Sequence, residues 1–141
     1  MTIQYHPDRG SILMCDFSHG FSNPEMDKKR PVIVLSPNIR SRQNLCTVVA
    51  LSTTPPETPR PYHCQINITP PLPAHYESNG LWVKGDMVNA VGFHRLDLIK
   101  VGKNKQGKRL YYLSHLNEST MKQVYTSVLH GMGFSNLTKH L

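Results

Sequence analysis

Glu25-Met26-Asp27-Lys28-Lys29-Arg30-Pro31-Val32-Ile33-Val34-Leu35-Ser36 sets an acid, three consecutive cations and a proline directly before a short β-branched run. Proline cannot donate to a sheet ladder, so Pro31 is expected at the first residue of a strand, with Val32 to Leu35 pairing behind it. The stretch reads as a charged loop that ends at the root of a buried strand, with Arg30 at the junction. A rigid strand end is a good mount for a functional cation, because position must be fixed before charge is useful. From these residues alone, a solvated basic turn explains the pattern equally well.

Working outward, residues 10–17 form an apolar run opened by Gly10 and are expected as the preceding strand, with a polar loop over 18–29 carrying His19 and Glu25. Beyond Ser36, the loop over 37–44 carries Arg40 and Arg42, and is expected at the same end of the fold as Lys28 and Lys29. Residues 45–51 are an apolar strand broken only by Thr47, as expected for burial on both faces. It ends in Ser52-Thr53-Thr54, followed by prolines at 55, 56, 59 and 61, a stiff surface connector that cannot be helix. Residues 62–68 alternate cleanly and place His63 on the wet face. Pro70, Pro71 and Pro73 open a long loop over 69–79.

Residues 80–84 and 87–91 read as one strand broken near Gly85-Asp86, and 93–99 as strand or short turn. Lys103-Asn104-Lys105-Gln106-Gly107-Lys108 is a basic hairpin tip with 109–114 as its return strand; such charges are most often solvated surface. A helix is expected over 117–130, capped by Asn117 with Glu118 in its first turn. Its apolar face is Met121, Val124, Tyr125, Val128, Leu129 and Met132, and Gly131 and Gly133 supply the stop. About seven short strands, Pro- and Gly-rich connections and one C-terminal helix suit a mainly β fold, a small bent barrel with a helix packed on it.

The chain has 141 residues, expected as a single domain over 1–141. No apolar run is long enough to span a bilayer and no signal-peptide core precedes the first strand, so a cytoplasmic protein without a membrane partner is expected. Cys15, Cys46 and Cys64 lack paired spacing and fall in strands, so buried free thiols are expected. The eight histidines include no metal-ligand spacing, and no metal or other cofactor is expected. A formal charge of +7 favours a polyanionic partner, most often nucleic acid.

Taken together, these pieces resemble the PemK/MazF family of type II toxin-antitoxin mRNA interferases. The matching segments come in family order: Gly10-Ser11-Ile12 with Asp16-Phe17, Glu25 five residues before Arg30-Pro31, the 32–36 run, and Val48-Val49-Ala50-Leu51-Ser52-Thr53-Thr54. Asp86-Met87-Val88, Arg95-Leu96 and the helix ending in Gly131-Met132-Gly133 follow. The resemblance implies an SH3-like small barrel of the CcdB/PemK type, a homodimer, and a cognate antitoxin protein as inhibitor. It also implies metal-independent, sequence-specific cleavage of single-stranded mRNA. By motif, Arg30 and Thr53 match the catalytic arginine and threonine, and Glu25 the acid that assists proton transfer in some members.

Metal-free RNA cleavage uses the 2′-hydroxyl as nucleophile, so the protein must move two protons and stabilise a charge-rich phosphorane. A guanidinium suits the last task, being permanently charged and able to hold two phosphate oxygens. Glu25 is the candidate proton acceptor, and Thr53 the group that orients the phosphate. Lys28, Lys29, Arg40, Arg42, Ser52 and Thr54 are the RNA-binding candidates. His19 suits an acid by its ordinary pKa, although an exposed loop histidine needs no role. Trp82, the lone tryptophan, fits core or dimer interface more readily than a base-stacking platform. The competing class is a non-catalytic binding protein on the same scaffold: an inert RNA- or protein-binding relative, or a CcdB-like gyrase poison.

Overall fold

The computed structural model describes residues 2–76 and 80–141, so the end of the 69–79 loop lies outside the described residues. Six strands pair into one antiparallel sheet in the order β4-β5-β3-β2-β1-β6. They are β1 (Ile12–Asp16), β2 (Lys29–Val34), β3 (Leu45–Ser52), β4 (His63–Ile66), β5 (Leu81–Gly92) and β6 (Leu96–Asp97). A separate hairpin, β7 (Lys100–Lys103) with β8 (Arg109–Tyr111), leads to the helix α1 (Glu118–Gly131). The mainly β class with one C-terminal α-helix is the one expected. The ladders leave β4 and β6 as edges, so the small barrel is open among the described residues.

Burial on both faces explains why the 32–34 and 45–51 runs are apolar without alternation. Ile33, Val49, Leu51, Leu81 and Val83 turn to one cluster, which also receives Met121, Val124 and Val128 of α1. Val32, Val34, Val48 and Cys15 turn to the other, closed by Phe17, Leu96 and Phe21. Burial pushes the Cys15 and Cys46 thiols up to about 12 and about 11. All three cysteines are free thiols, but Cys64, on the edge strand β4, is only half-buried.

Pro31 departs from expectation. It is the third residue of β2, opposite Met14 of β1, because pairing with β1 begins at Lys29. Val34 exchanges backbone hydrogen bonds with Gly10 and Ser11, on the β1 side. By strand alternation Arg30 and Val32 address β1 too, and Pro31 turns toward β3. The β2–β3 ladder stops at Val32, so the proline nitrogen falls just beyond it. A donor is missing only where none is needed.

β5 is continuous across the expected break. Its pairing with β3 jumps from Ala50↔Lys84 to Val49↔Val88, so residues 85–87 bulge out of register. There α1 crosses the strand at backbone contact, which requires Gly85 and Gly131. Asn117 caps the helix by accepting from the Thr120 N–H at 2.8 Å. Gly131 therefore serves packing within the helix, and Met132, expected on the buried face, is 54% exposed. Residues 93–95 form a 3₁₀ turn before β6, and the tail forms another over Ser135–His140. No described helix is long and apolar enough to cross a membrane.

Candidate nucleic-acid interface and active site

Arg30 faces Cys15 across the β1–β2 ladder. Continuing the Val32↔Ala50 register by two residues sets it opposite Ser52 of β3. Ser52 pairs with Trp82 of β5, and Trp82 with Gln65 of β4. Residues directly opposed in antiparallel strands share a face, so Arg30, Ser52, Trp82 and Gln65 form one row across the sheet. The next row on that face carries Ala50, Lys84 and His63. Burial pushes the His63 imidazole below its usual range, and the nearby Lys84 charge adds to the effect. Arg60 N–H donates to its Nδ1 at 3.0 Å, so the side chain expected on the wet face is half-buried and engaged.

Ser52 is buried and its hydroxyl closes a local turn. The Thr54 N–H donates to Ser52 Oγ at 3.1 Å, and Ser52 Oγ donates to the Thr54 carbonyl at 3.3 Å. That turn holds Thr53 half-exposed at the end of β3, with no side-chain hydrogen bond to the described residues. Ser52 is thus already committed within the protein, and Thr53 has its hydroxyl to offer. Thr54 is exposed beside it.

Two donors on the row are orphaned. The Nε–H of half-buried Arg30 and the Nε1–H of Trp82 are buried without a hydrogen-bond partner among the described residues. Each unmet buried donor costs about 1–3 kcal/mol, so such groups call for a functional account. Trp82 was expected in the core or at a dimer interface, and it stands half-buried on this row. It signals itself only through alternation in β5, where buried Leu81 and Val83 flank half-buried Trp82 and Lys84. Which strands stand beside it could not be read from that pattern.

Glu25 is exposed in a turn closed by its own N–H on the Ser22 carbonyl at 2.8 Å. Among the described residues no ion pair joins it to Lys28, Lys29 or Arg30. Its loop is tied down at the root, where Phe17 N–H donates to the Lys28 carbonyl at 3.2 Å. Arg95 holds the other side, donating to the carbonyls of Asp16 at 3.1 Å and His19 at 2.6 Å. Its guanidinium also lies 4.7 Å over the Phe21 ring. Arg95 entered the sequence reading only as a motif fragment, and its contacts span 76 or more residues. Truncating Arg95 to alanine should cost about 2 kcal/mol and speed amide exchange across residues 17–21. Unchanged exchange there would show that the loop is held by other means.

Lys28 and Lys29 lie at the Arg30 end of the sheet, both exposed. Asp16, opposite Lys29, is held below the usual carboxylate range by the Ser18 hydroxyl and N–H, with the Lys29 charge assisting. Arg40 and Arg42 do not join them. β2 and β3 are antiparallel, so the loop linking the end of β2 to the start of β3 sits at the opposite end from Arg30 and Thr53. Six strand residues at roughly 3.3 Å each make that about 20 Å. The expectation of a common end is corrected on topology alone. His19 is exposed and borders a cavity of about 140 Å³ with Asp16, His94 and Arg95. A larger cavity, about 520 Å³, lies between residues 2–8, the start of β1 and residues 112–115. It contains none of the candidate catalytic residues Arg30, Thr53 and Glu25.

A family model described as PemK-like, MazF-like toxin of type II toxin-antitoxin system matches residues 8–130. No curated protein matches the chain. Among solved structures, an endoribonuclease in complex with its cognate antitoxin from a mycobacterial species is 20% identical, with a TM-score of 0.57 over 91% of this chain and 96% of that one. MazF (Form-I) from Deinococcus radiodurans is 18% identical, with a TM-score of 0.60 over 92% and 99%. MazE-MazF (Form-II) from the same organism is 19% identical, with a TM-score of 0.54 over 94% and 100%. At these identities the likeness shows the fold.

Proposed function

The chain belongs to the PemK-like, MazF-like toxin family of type II toxin-antitoxin systems, and from that premise we propose that it is an endoribonuclease toxin. It cleaves single-stranded mRNA at short sequences, without a metal, by attack of a 2′-hydroxyl on the adjacent phosphate. One observation carries this beyond family membership. Arg30 and Trp82 share one sheet row, each with a buried N–H donor that has no hydrogen-bond partner among the described residues, and Thr53 directly follows Ser52 of that row. Donors of this kind suit phosphate and base oxygens, which an inert scaffold would have no reason to await.

In the proposed reaction Glu25 takes the proton of the 2′-hydroxyl, whose oxygen forms a bond to phosphorus. Arg30 holds the two non-bridging oxygens of the phosphorane through its planar fork, and Thr53 fixes their orientation through its hydroxyl and backbone N–H. The bond to the 5′-oxygen then breaks, and that oxygen takes a proton from solvent. Lys28 and Lys29 attract the backbone on either side, and Thr54 stands within the same strand-end turn. Glu25 must approach from an exposed loop, so closure of residues 22–27 over the strand end belongs to the mechanism. A homodimer and an antitoxin that covers the row complete the proposal; the mycobacterial endoribonuclease noted above was solved with its cognate antitoxin.

Purified protein incubated with single-stranded RNA should yield fragments ending in 2′,3′-cyclic phosphate and partners beginning with 5′-hydroxyl. EDTA should leave the rate unchanged. Fragments bearing 5′-phosphate, or binding of RNA without any product, would rule this chemistry out.

A further inference from the structure

The β7–β8 hairpin carries Lys100, Lys103, Lys105, Lys108 and Arg109, and residues 100–116 contain no acidic residue. Solvated surfaces normally intersperse both signs, so a one-sign element is unusual. Pairing sharpens the point. Lys103 stands directly opposite Arg109, and Lys100 opposite Tyr111, with the register shifting between Lys100 and Gly102. The shift absorbs Val101 and so brings Lys100 and Lys103, three residues apart, to one face. On that face three cations surround one tyrosine. Like charges directly opposed destabilise a hairpin, and this pair has no carboxylate between its members to offset the repulsion.

The hairpin is nevertheless firmly shaped. Asn104 Oδ1 accepts from the N–H groups of Gln106 and Lys108, each at 2.9 Å, and the Asn104 N–H donates to the Lys108 carbonyl at 2.9 Å. At its base the Tyr112 N–H donates to the Ile99 carbonyl at 2.8 Å, and buried Tyr112 turns inward. Strand alternation therefore turns Arg109 and Tyr111 outward. Lys100, Lys103 and Arg109 are exposed and Tyr111 is half-exposed.

We propose that this outward face is a second contact for single-stranded RNA, where Lys100, Lys103 and Arg109 neutralise phosphates and Tyr111 stacks on a base. The inference rests on RNA being the substrate. Cations spaced around an aromatic ring are the general solution for holding a single strand without reading its sequence. β6 leads away from the Arg30 end of β1 into this hairpin. The surface therefore holds RNA remote from the scissile phosphate, adding affinity without entering the chemistry.

The test measures RNA affinity in the full chain carrying Arg30→Ala, so that bound RNA stays intact, with a single-stranded 20-mer across about 50–200 mM salt. Adding Lys103→Gln with Arg109→Gln should lower the slope of log affinity against log salt by about 1.4, at roughly 0.7 per phosphate contact. At 0.15 M salt that amounts to about tenfold weaker binding. Tyr111→Leu should weaken binding about fivefold and leave the slope unchanged. The tip pair Lys105→Gln with Lys108→Gln serves as a second charge variant, and all should melt with the parent. Unchanged affinity and slope in the Lys103/Arg109 variant overturns the inference, as does loss of binding only to an acidic partner protein. Wild-type cleavage of RNA is scored separately. Its absence sinks the proposed ribonuclease activity whatever the hairpin does, and its presence with an unchanged slope sinks the hairpin alone.

Discussion

Replacing Arg30 by alanine should slow RNA cleavage by about 10³- to 10⁵-fold, the range seen when a charge-stabilising arginine leaves a phosphoryl-transfer site. The fold should survive. Arg30 sits at the start of β2, beyond the point where the β2–β3 ladder stops, and its buried Nε–H makes no hydrogen bond that truncation could break. Removing an unmet donor relieves a penalty, so stability should change by no more than about 1 kcal/mol. Arg30→Lys should recover only part of the rate, because an ammonium keeps the charge but not the two-pronged grip on phosphate oxygens. Single-turnover cleavage of a short RNA beside thermal melts separates these effects. Cleavage by the alanine variant at the wild-type rate would show the site to be misassigned.

Local signals were legible in the chain. The apolar run after Arg30, the uninterrupted 45–51 strand, the capped helix and the Ser52–Thr54 strand end are all set by residues within one element, and each element formed. What could not be read was adjacency. Arg40 and Arg42 look like companions of Lys28 and Lys29 along the sequence, yet one antiparallel turn sends them to the far end of the sheet. Conversely, Trp82 and Gln65 stand far from Arg30 in sequence and join its row only through two and three successive ladders, respectively. Arg95 anchors the loop bearing Glu25 across 76 residues or more, which no local pattern encodes. The proline at 31 misled for a related reason. Its fit to a strand depends on which neighbour its nitrogen faces, a property of the sheet and not of the strand.

The bulge in β5 offers the second large effect. A Cβ at Gly85 would lie 2.3 Å from the Ser127 carbonyl oxygen and 2.7 Å from that of Tyr62, and a Cβ at Gly131 would lie 2.4 Å from the Gly85 carbonyl oxygen. The opposing atoms are backbone, so no rotamer change can make room, and the helix must lift from the sheet. Gly85→Ala should therefore cost about 3 kcal/mol, at the upper end of overpacking penalties, and lower the melting temperature by about 10 °C. Gly131→Ala should behave similarly. The two alanines together should cost well under the sum, because both force open the same crossing and the second enters a gap the first has made. Lys84 ends the segment of β5 that carries Trp82, and Gly85 follows it directly. A lifted helix should thus loosen the Trp82–Ser52 pairing and reduce cleavage along with stability. Additive penalties from the two alanines would mean that Gly85 and Gly131 serve separate contacts, and that α1 does not clamp the bulge beside the Arg30 row.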